Sequence, residues 1–112
     1  MSKPLAPITA TELHQLLASS SRPRLLDVRE PHEFVSELGH VDGSELVPLG
    51  TVPNNVAKFS GEEREIVVIC RSGMRAGQAA DFLAKQGLKA RVLTGGMISW
   101  NEAKLPISRD PQ

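Results

Sequence analysis

The run Ile66-Val67-Val68-Ile69-Cys70 constrains this chain more than any other stretch. Four apolar, mostly β-branched residues before Cys70 are too few for a helix and read as a strand buried on both faces, the kind found inside a parallel sheet. Cys70, the chain's one cysteine, ends that strand. Arg71, Ser72, Gly73, Met74 and Arg75 follow, and then an alanine-rich segment over 76–87 with no proline and good helix propensity. A strand, a tight loop and a helix N-terminus in that order bring backbone N–H groups to one point and add the helix dipole's partial positive charge. Arg71 and Arg75 supply full charges. A thiol in such a place is expected to ionise readily, and the thiolate is the nucleophilic form. Position alone suggests the commoner fate of a lone cysteine, that of a small buried hydrophobe. The company of two arginines, a serine and a glycine within five residues, types that bind anions rather than fill cores, favours a nucleophile.

At 112 residues the chain is expected to form one domain, able to bury about two-thirds of its unfolded surface without a disulfide or metal staple. Thirteen basic and thirteen acidic residues cancel, and only four aromatics are present, so the footprint of a nucleic-acid binder is missing. Any anion selectivity must be local. One cysteine, no CxxC and three histidines far apart in sequence argue against a zinc site, and no cofactor is expected. Met1-Ser2-Lys3-Pro4 leads into no apolar targeting region, and no run reaches membrane-spanning length. The expectation is a soluble protein of a reducing compartment, the cytoplasm.

Residues 1–7 read as a proline-punctuated arm. Thr9 and Glu12 have capping-box spacing, and Ile8 and Leu13 have staple spacing, which predicts a helix running to about residue 19 with Leu13, Leu16 and Leu17 on its core face. Arg24 to Arg29 reads as a second strand. In an open α/β sheet, ligands collect at the carboxyl ends of strands, so Asp27 and Arg29 approach the Cys70 loop if the two strands are neighbours. Asp27 then either supports the site, as an anchor for an arginine or for loop N–H groups, or serves a purely structural ion pair. Pro31 marks the start of a short helix to about Ser36. Gly39-His40-Val41-Asp42-Gly43 is a loop in which His40 is expected to bond a local carbonyl. Ser44 to Val47 reads as a strand and 50–60 as a helix interrupted at its start by Pro53. Ala76, Ala79, Ala80 and Leu83 form one face of the helix after the Cys70 loop, which Lys85 and Gly87 end. Lys89 to Leu93 is a further strand, Thr94-Gly95-Gly96 a tight turn, and 97–103 a last helix with Trp100 as a core anchor.

Taken together, four motifs resemble the rhodanese-like sulfurtransferases of the single-domain type. They are Leu25-Leu26-Asp27-Val28-Arg29-Glu30 with Glu33-Phe34, then Gly39 to Gly43, then Cys70-Arg71-Ser72-Gly73-Met74-Arg75, and Leu93-Thr94-Gly95-Gly96 followed by Trp100. Each is weak to moderate alone, and the ordered set is highly specific. Ser44 stands where the family commonly has alanine, and Lys104 where a glycine often precedes the final Leu-Pro. The resemblance implies a rhodanese-like domain over residues 8–107 with a tail over 108–112, and an α/β fold with a five-stranded, mostly parallel sheet flanked by helices on both faces. It also implies that Cys70 carries sulfane sulfur as a persulfide, taken from a small anionic donor such as thiosulfate. Arg71 to Arg75 form the loop that holds it, and the acceptor is cyanide, a thiol or a protein.

Two other readings compete. Cysteine phosphatases also place a thiolate in a Cys-to-Arg cradle at a helix N-terminus. Those enzymes have five residues between Cys and Arg, whereas four separate Cys70 from Arg75, a tighter ring suited to one sulfur atom rather than a phosphoryl group. A rhodanese-like module that only binds a partner tends to have lost the cysteine, which is present here.

Overall fold

The alternation of helical and β patterns resolves, in a computed structural model that describes residues 3–111, into a parallel sheet with helices on both faces. Thr9 opens the first helix as its spacing predicts. Its hydroxyl accepts from the Glu12 N–H at 3.2 Å, and the Glu12 carboxylate accepts from the Thr9 N–H at 2.9 Å. Helix α1 spans Ala10–Leu17, and Ile8 and Leu13 are buried in the same cluster. After it come β1 (Arg24–Asp27), the one-turn α2 (Pro31–Phe34), β2 (Glu45–Leu46) and the short α3 (Val52–Asn55). The chain then forms β3 (Ile66–Ile69), α4 (Met74–Lys85), β4 (Ala90–Val92) and α5 (Gly96–Glu102).

Two expectations are corrected. The helix expected over 50–60 is three short pieces, with 3-10 turns at Leu49–Thr51 and Val56–Phe59 on either side of α3. Pro53 has no N–H with which to continue a preceding turn, so it starts a fresh one. The sheet has four strands, not five, in the order β2-β1-β3-β4 and parallel throughout. The N-terminal arm does lie along the outer edge of β4. The Leu5 N–H donates to the Ala90 carbonyl at 2.7 Å, the Ile8 N–H to Val92 at 2.9 Å and the Thr94 N–H to Ile8 at 2.8 Å. Pro4 and Pro7 have no N–H to contribute, and the ladder shrinks to a single bridge between Ile8 and Leu93.

Side chains on a strand alternate between faces. Ile66, Val68 and Cys70 therefore point into the layer beneath α3 and α4, while Val67 and Ile69 point into the layer beneath α1 and α5. Ala76, Ala79 and Ala80 are buried on α4, and their small size lets the helix lie close to the sheet. In the other layer Trp100 is buried, and its indole N–H donates to the Pro106 carbonyl at 2.8 Å. Among the described residues no helix is long and apolar enough to cross a membrane.

The central strands β1 and β3 are neighbours, with Asp27 opposite Ile69. β1 leads outward to β2 and β3 leads outward to β4. The winding reverses between them, and the crevice at their carboxyl ends is where an open parallel sheet binds ligands. Cys70 is the next residue after Ile69.

Candidate active site

Cys70 sits at the base of that crevice with its residue surface only 1% exposed. It packs with the core, as a small hydrophobe would, yet its sulfur has a polar partner. The Gly73 N–H points at Sγ at 2.9 Å. Gly73 makes this turn possible because its φ of +119° lies in a region that side-chain-bearing residues avoid, and it also caps α4. The first-turn N–H groups of α4 have no intrahelical acceptor and open toward the same loop. The backbone N–H groups of Arg71 and Ser72 donate to no carbonyl among the described residues. Arg71, Ser72 and Met74 are exposed, Met74 by 78%, and the loop thus forms a rim around a buried sulfur.

The two arginines of the loop differ. Arg75, in the first turn of α4, makes a two-pronged ion pair with Glu33 of α2, its guanidinium nitrogens 2.7 and 2.9 Å from the two carboxylate oxygens. Glu33 also accepts from the Glu30 N–H at 2.9 Å. The Arg75 guanidinium holds the Glu33 carboxyl down at about 2, with the Glu30 N–H assisting against partial burial. In return, Glu33 raises the basicity of Arg75. Such a fork is geometrically specific, and here it ties the Cys70 loop to the element that follows β1. The Arg71 guanidinium makes no hydrogen bond or ion pair among the described residues. It lines a groove of about 360 Å³ together with Arg29, Glu33, Ser36, Glu37 and Leu38.

Asp27 and Arg29 bond to each other and make no hydrogen bond or ion pair with the Cys70 loop, although Arg29 lines the same groove as Arg71. Both are fully buried, and the Arg29 guanidinium donates to the Asp27 carboxylate at 2.9 and 2.8 Å. Arg29 also donates to the carbonyls of Gly39 at 2.7 Å and Glu33 at 3.3 Å. Asp27 shares the alternation of Leu25, which puts its side chain on the sheet face opposite Cys70. The pair therefore fixes the end of β1 to α2 and to the loop after it. His40 bonds a local carbonyl as expected, with Nδ1 2.7 Å from the Phe34 oxygen and its ring stacked on that of Phe34.

Glu33 is the site residue that sequence reasoning left without a role. Its spacing from Glu30 marks a helix start, but the partner that gives it meaning lies 42 positions away. No group of three or more His, Cys, Asp or Glu side chains that could hold a metal ion occurs among the described residues.

A buried thiol with a main-chain N–H on its sulfur, at the carboxyl end of a parallel α/β sheet, defines a class of small α/β domains built around a strand-end cysteine. The rhodanese-like domain family matches residues 9–103, and the chain belongs to that family. A sulfurtransferase of Allochromatium vinosum is 34% identical over 102 residues, which cover 89% of this chain and 92% of that protein. The probable adenylyltransferase/sulfurtransferase MoeZ of Mycobacterium tuberculosis is 32% identical over 102 residues, but the match spans 88% of this chain and only 25% of that longer protein. The structure of the human single-domain sulfurtransferase TSTD1 superposes with a TM-score of 0.70 at 30% identity, covering 86% of this chain and 95% of that one.

Proposed function

We propose that this protein is a sulfurtransferase that moves sulfane sulfur from a small anionic donor such as thiosulfate to a thiophilic acceptor through a persulfide on Cys70. The observation that carries the reading is the Gly73 N–H at 2.9 Å from Sγ, in a loop whose other N–H groups are open. In the first step the Cys70 thiolate attacks the outer sulfur of thiosulfate. Its electron pair forms the new S–S bond, and the donor's S–S bond breaks with its pair departing on sulfite. The terminal sulfur of Cys70–S–S⁻ then carries the negative charge, which open N–H groups of the loop stabilise as an oxyanion hole stabilises oxygen. In the second step an acceptor nucleophile, cyanide in an assay or a thiol of a small molecule or protein, takes that sulfur and returns the thiolate. Arg71, with no carboxylate partner, supplies the cationic charge that draws an anionic donor to the rim.

The commitment of Arg75 to Glu33 weighs against phosphatase chemistry. An arginine engaged at 2.7 and 2.9 Å by a carboxylate is not free to clasp a phosphoryl group. Retention of the thiol and of its N–H cradle weighs against a module that only binds. The test is the thiosulfate-to-cyanide assay on the native chain and on Cys70→Ser, with circular dichroism to show that both fold. Activity in the first and none in the second is expected. Measurable transfer by Cys70→Ser would remove Cys70 from its role, because the chain has no other thiol.

A further inference from the structure

The turn Thr94-Gly95-Gly96 and the helix it opens are not used by the chemistry described above, yet they form the back wall of the Cys70 loop. The Met97 N–H donates to the Cys70 carbonyl at 2.9 Å, and the Ile98 N–H donates to the Arg71 carbonyl at 3.1 Å. In a planar trans peptide the N–H points opposite to the carbonyl. Turning the carbonyls of Cys70 and Arg71 toward α5 therefore turns the N–H groups of Arg71 and Ser72 away from it.

This contact needs a glycine at 96 for reasons of space. A Cβ there would lie 2.6 Å from both the carbonyl carbon and the carbonyl oxygen of Arg71, and closer still to the carbonyl oxygen of Cys70. These are backbone atoms, so the loop itself would have to move. Gly96 also has a φ of +57°, but that feature is not particular to it. Gly87 and Gly61 have φ of +86° and +78°, and a Cβ at either would meet nothing within 4 Å. They isolate backbone strain from loop displacement.

We infer that Gly96 is a positioning residue for the nucleophile: by lacking a side chain it lets α5 seat the carbonyls of Cys70 and Arg71, which keeps the Gly73 N–H on Sγ. The inference rests on the reading of Cys70 as a nucleophile. Its readouts need no sulfur donor, so a native chain that alkylates rapidly but transfers no sulfur would refute the sulfurtransferase reading alone.

Two measurements test it, comparing Gly96→Ala with Gly87→Ala as the strain-matched control. Alkylation of Cys70 by iodoacetamide at neutral pH is expected to be about ten- to a hundredfold slower in Gly96→Ala, the size of a lost hydrogen bond to a charged group. The amide proton of Gly73 should lose the hydrogen-bonded chemical shift that Gly87→Ala retains. Equal alkylation rates in the two variants, or an unchanged Gly73 signal, would overturn the inference. If Gly96→Ala does not fold, the native chain decides. Alkylation of Cys70 should then shift the amide signals of Met97 and Ile98 while leaving those of Gly61 and Gly87 in place, and silence at Met97 and Ile98 would overturn the inference.

Discussion

The two ends of the sheet invite opposite conclusions from size and from chemistry. At the amino-terminal end a hollow of about 780 Å³ lies between the segments that lead into β3 and β4, lined by Val56, Ser60, Glu62, Gln86 and Lys89 among others. At the carboxyl end the groove beside the Cys70 loop measures about 360 Å³. Yet at the larger hollow's end the arginines are matched locally. Arg24 pairs with Glu45 at 2.6 Å, Arg64 with Glu62 at 2.8 Å and Arg91 with Glu65 at 3.0 Å. At the carboxyl end a thiol, the open N–H groups of Arg71 and Ser72 and the unmatched Arg71 side chain belong to one loop, and Arg71 lines the smaller groove. What separates the two ends is convergence of unsatisfied groups, not volume. A shifted carboxyl does not separate them either, because arginines hold both Glu33 and Glu62 at about 2, one at each end.

Substitutions sharpen this contrast, the largest effect coming from the buried pair that frames the carboxyl end. Asp27→Asn leaves the Arg29 guanidinium without its countercharge in a fully buried site, and breaking a buried pair in this way costs about 3–5 kcal/mol. Urea unfolding should show that loss. A destabilisation below about 1 kcal/mol, the range of exposed pairs, would mean that Arg29 finds other partners.

Next comes the asymmetry of the two loop arginines. Arg75→Ala removes the fork that ties the loop to α2 and is expected to lower kcat/KM for thiosulfate by about ten- to a hundredfold, as hydrogen bonds to charged groups of roughly 1.5–3 kcal/mol imply. Arg71→Ala removes a solvated charge and should cost only a few-fold. Equal losses, or a larger one for Arg71, would reverse the assignment of the locking and the outward arginine.

Acid should act on the same fork. The Glu33 carboxyl titrates lower in the folded chain, at about 2, than its ordinary value of 4.5. Its contribution to stability is therefore full above 4.5 and is lost as pH falls through about 2. Glu33→Gln should flatten that part of the stability profile and leave the profile above 4.5 parallel to the native one, as unfolding at a series of pH values would show. The smallest effect belongs to the other end, where Arg64→Ala should leave kcat/KM unchanged. A change there would mean that the amino-terminal hollow communicates with the thiol.

What was legible in the sequence was local. The capping box of Thr9 and Glu12, the buried run of β3 and the small-residue face of α4 are spacing patterns within a turn or two, and each stands where it was read. The adjacency of β1 and β3, which brings Asp27 level with Ile69, is a non-local pairing on which the reading of Asp27 and Arg29 was conditional, and neither strand's own pattern dictates it. Pairings across the fold were not legible. Glu33 and Arg75 lie 42 positions apart, and nothing local distinguishes Glu33 from a helix-start glutamate. Gly96 read as a turn because a positive φ is inferable from sequence, whereas the loop backbone packed against it is not. The missing fifth strand has a simpler reason, since two prolines in the arm remove the donors that a full ladder requires.

The central claim is that Cys70, cradled by its loop, accepts one sulfur atom from an anionic donor and holds it. Intact mass spectrometry of the native chain after incubation with thiosulfate and desalting tests this most directly. The expected result is a gain of one sulfur atom that a reductant removes, localised to Cys70 and absent in Cys70→Ser. A native chain whose mass stays unchanged with thiosulfate and with other sulfane donors, while Cys70 still alkylates, would contradict it.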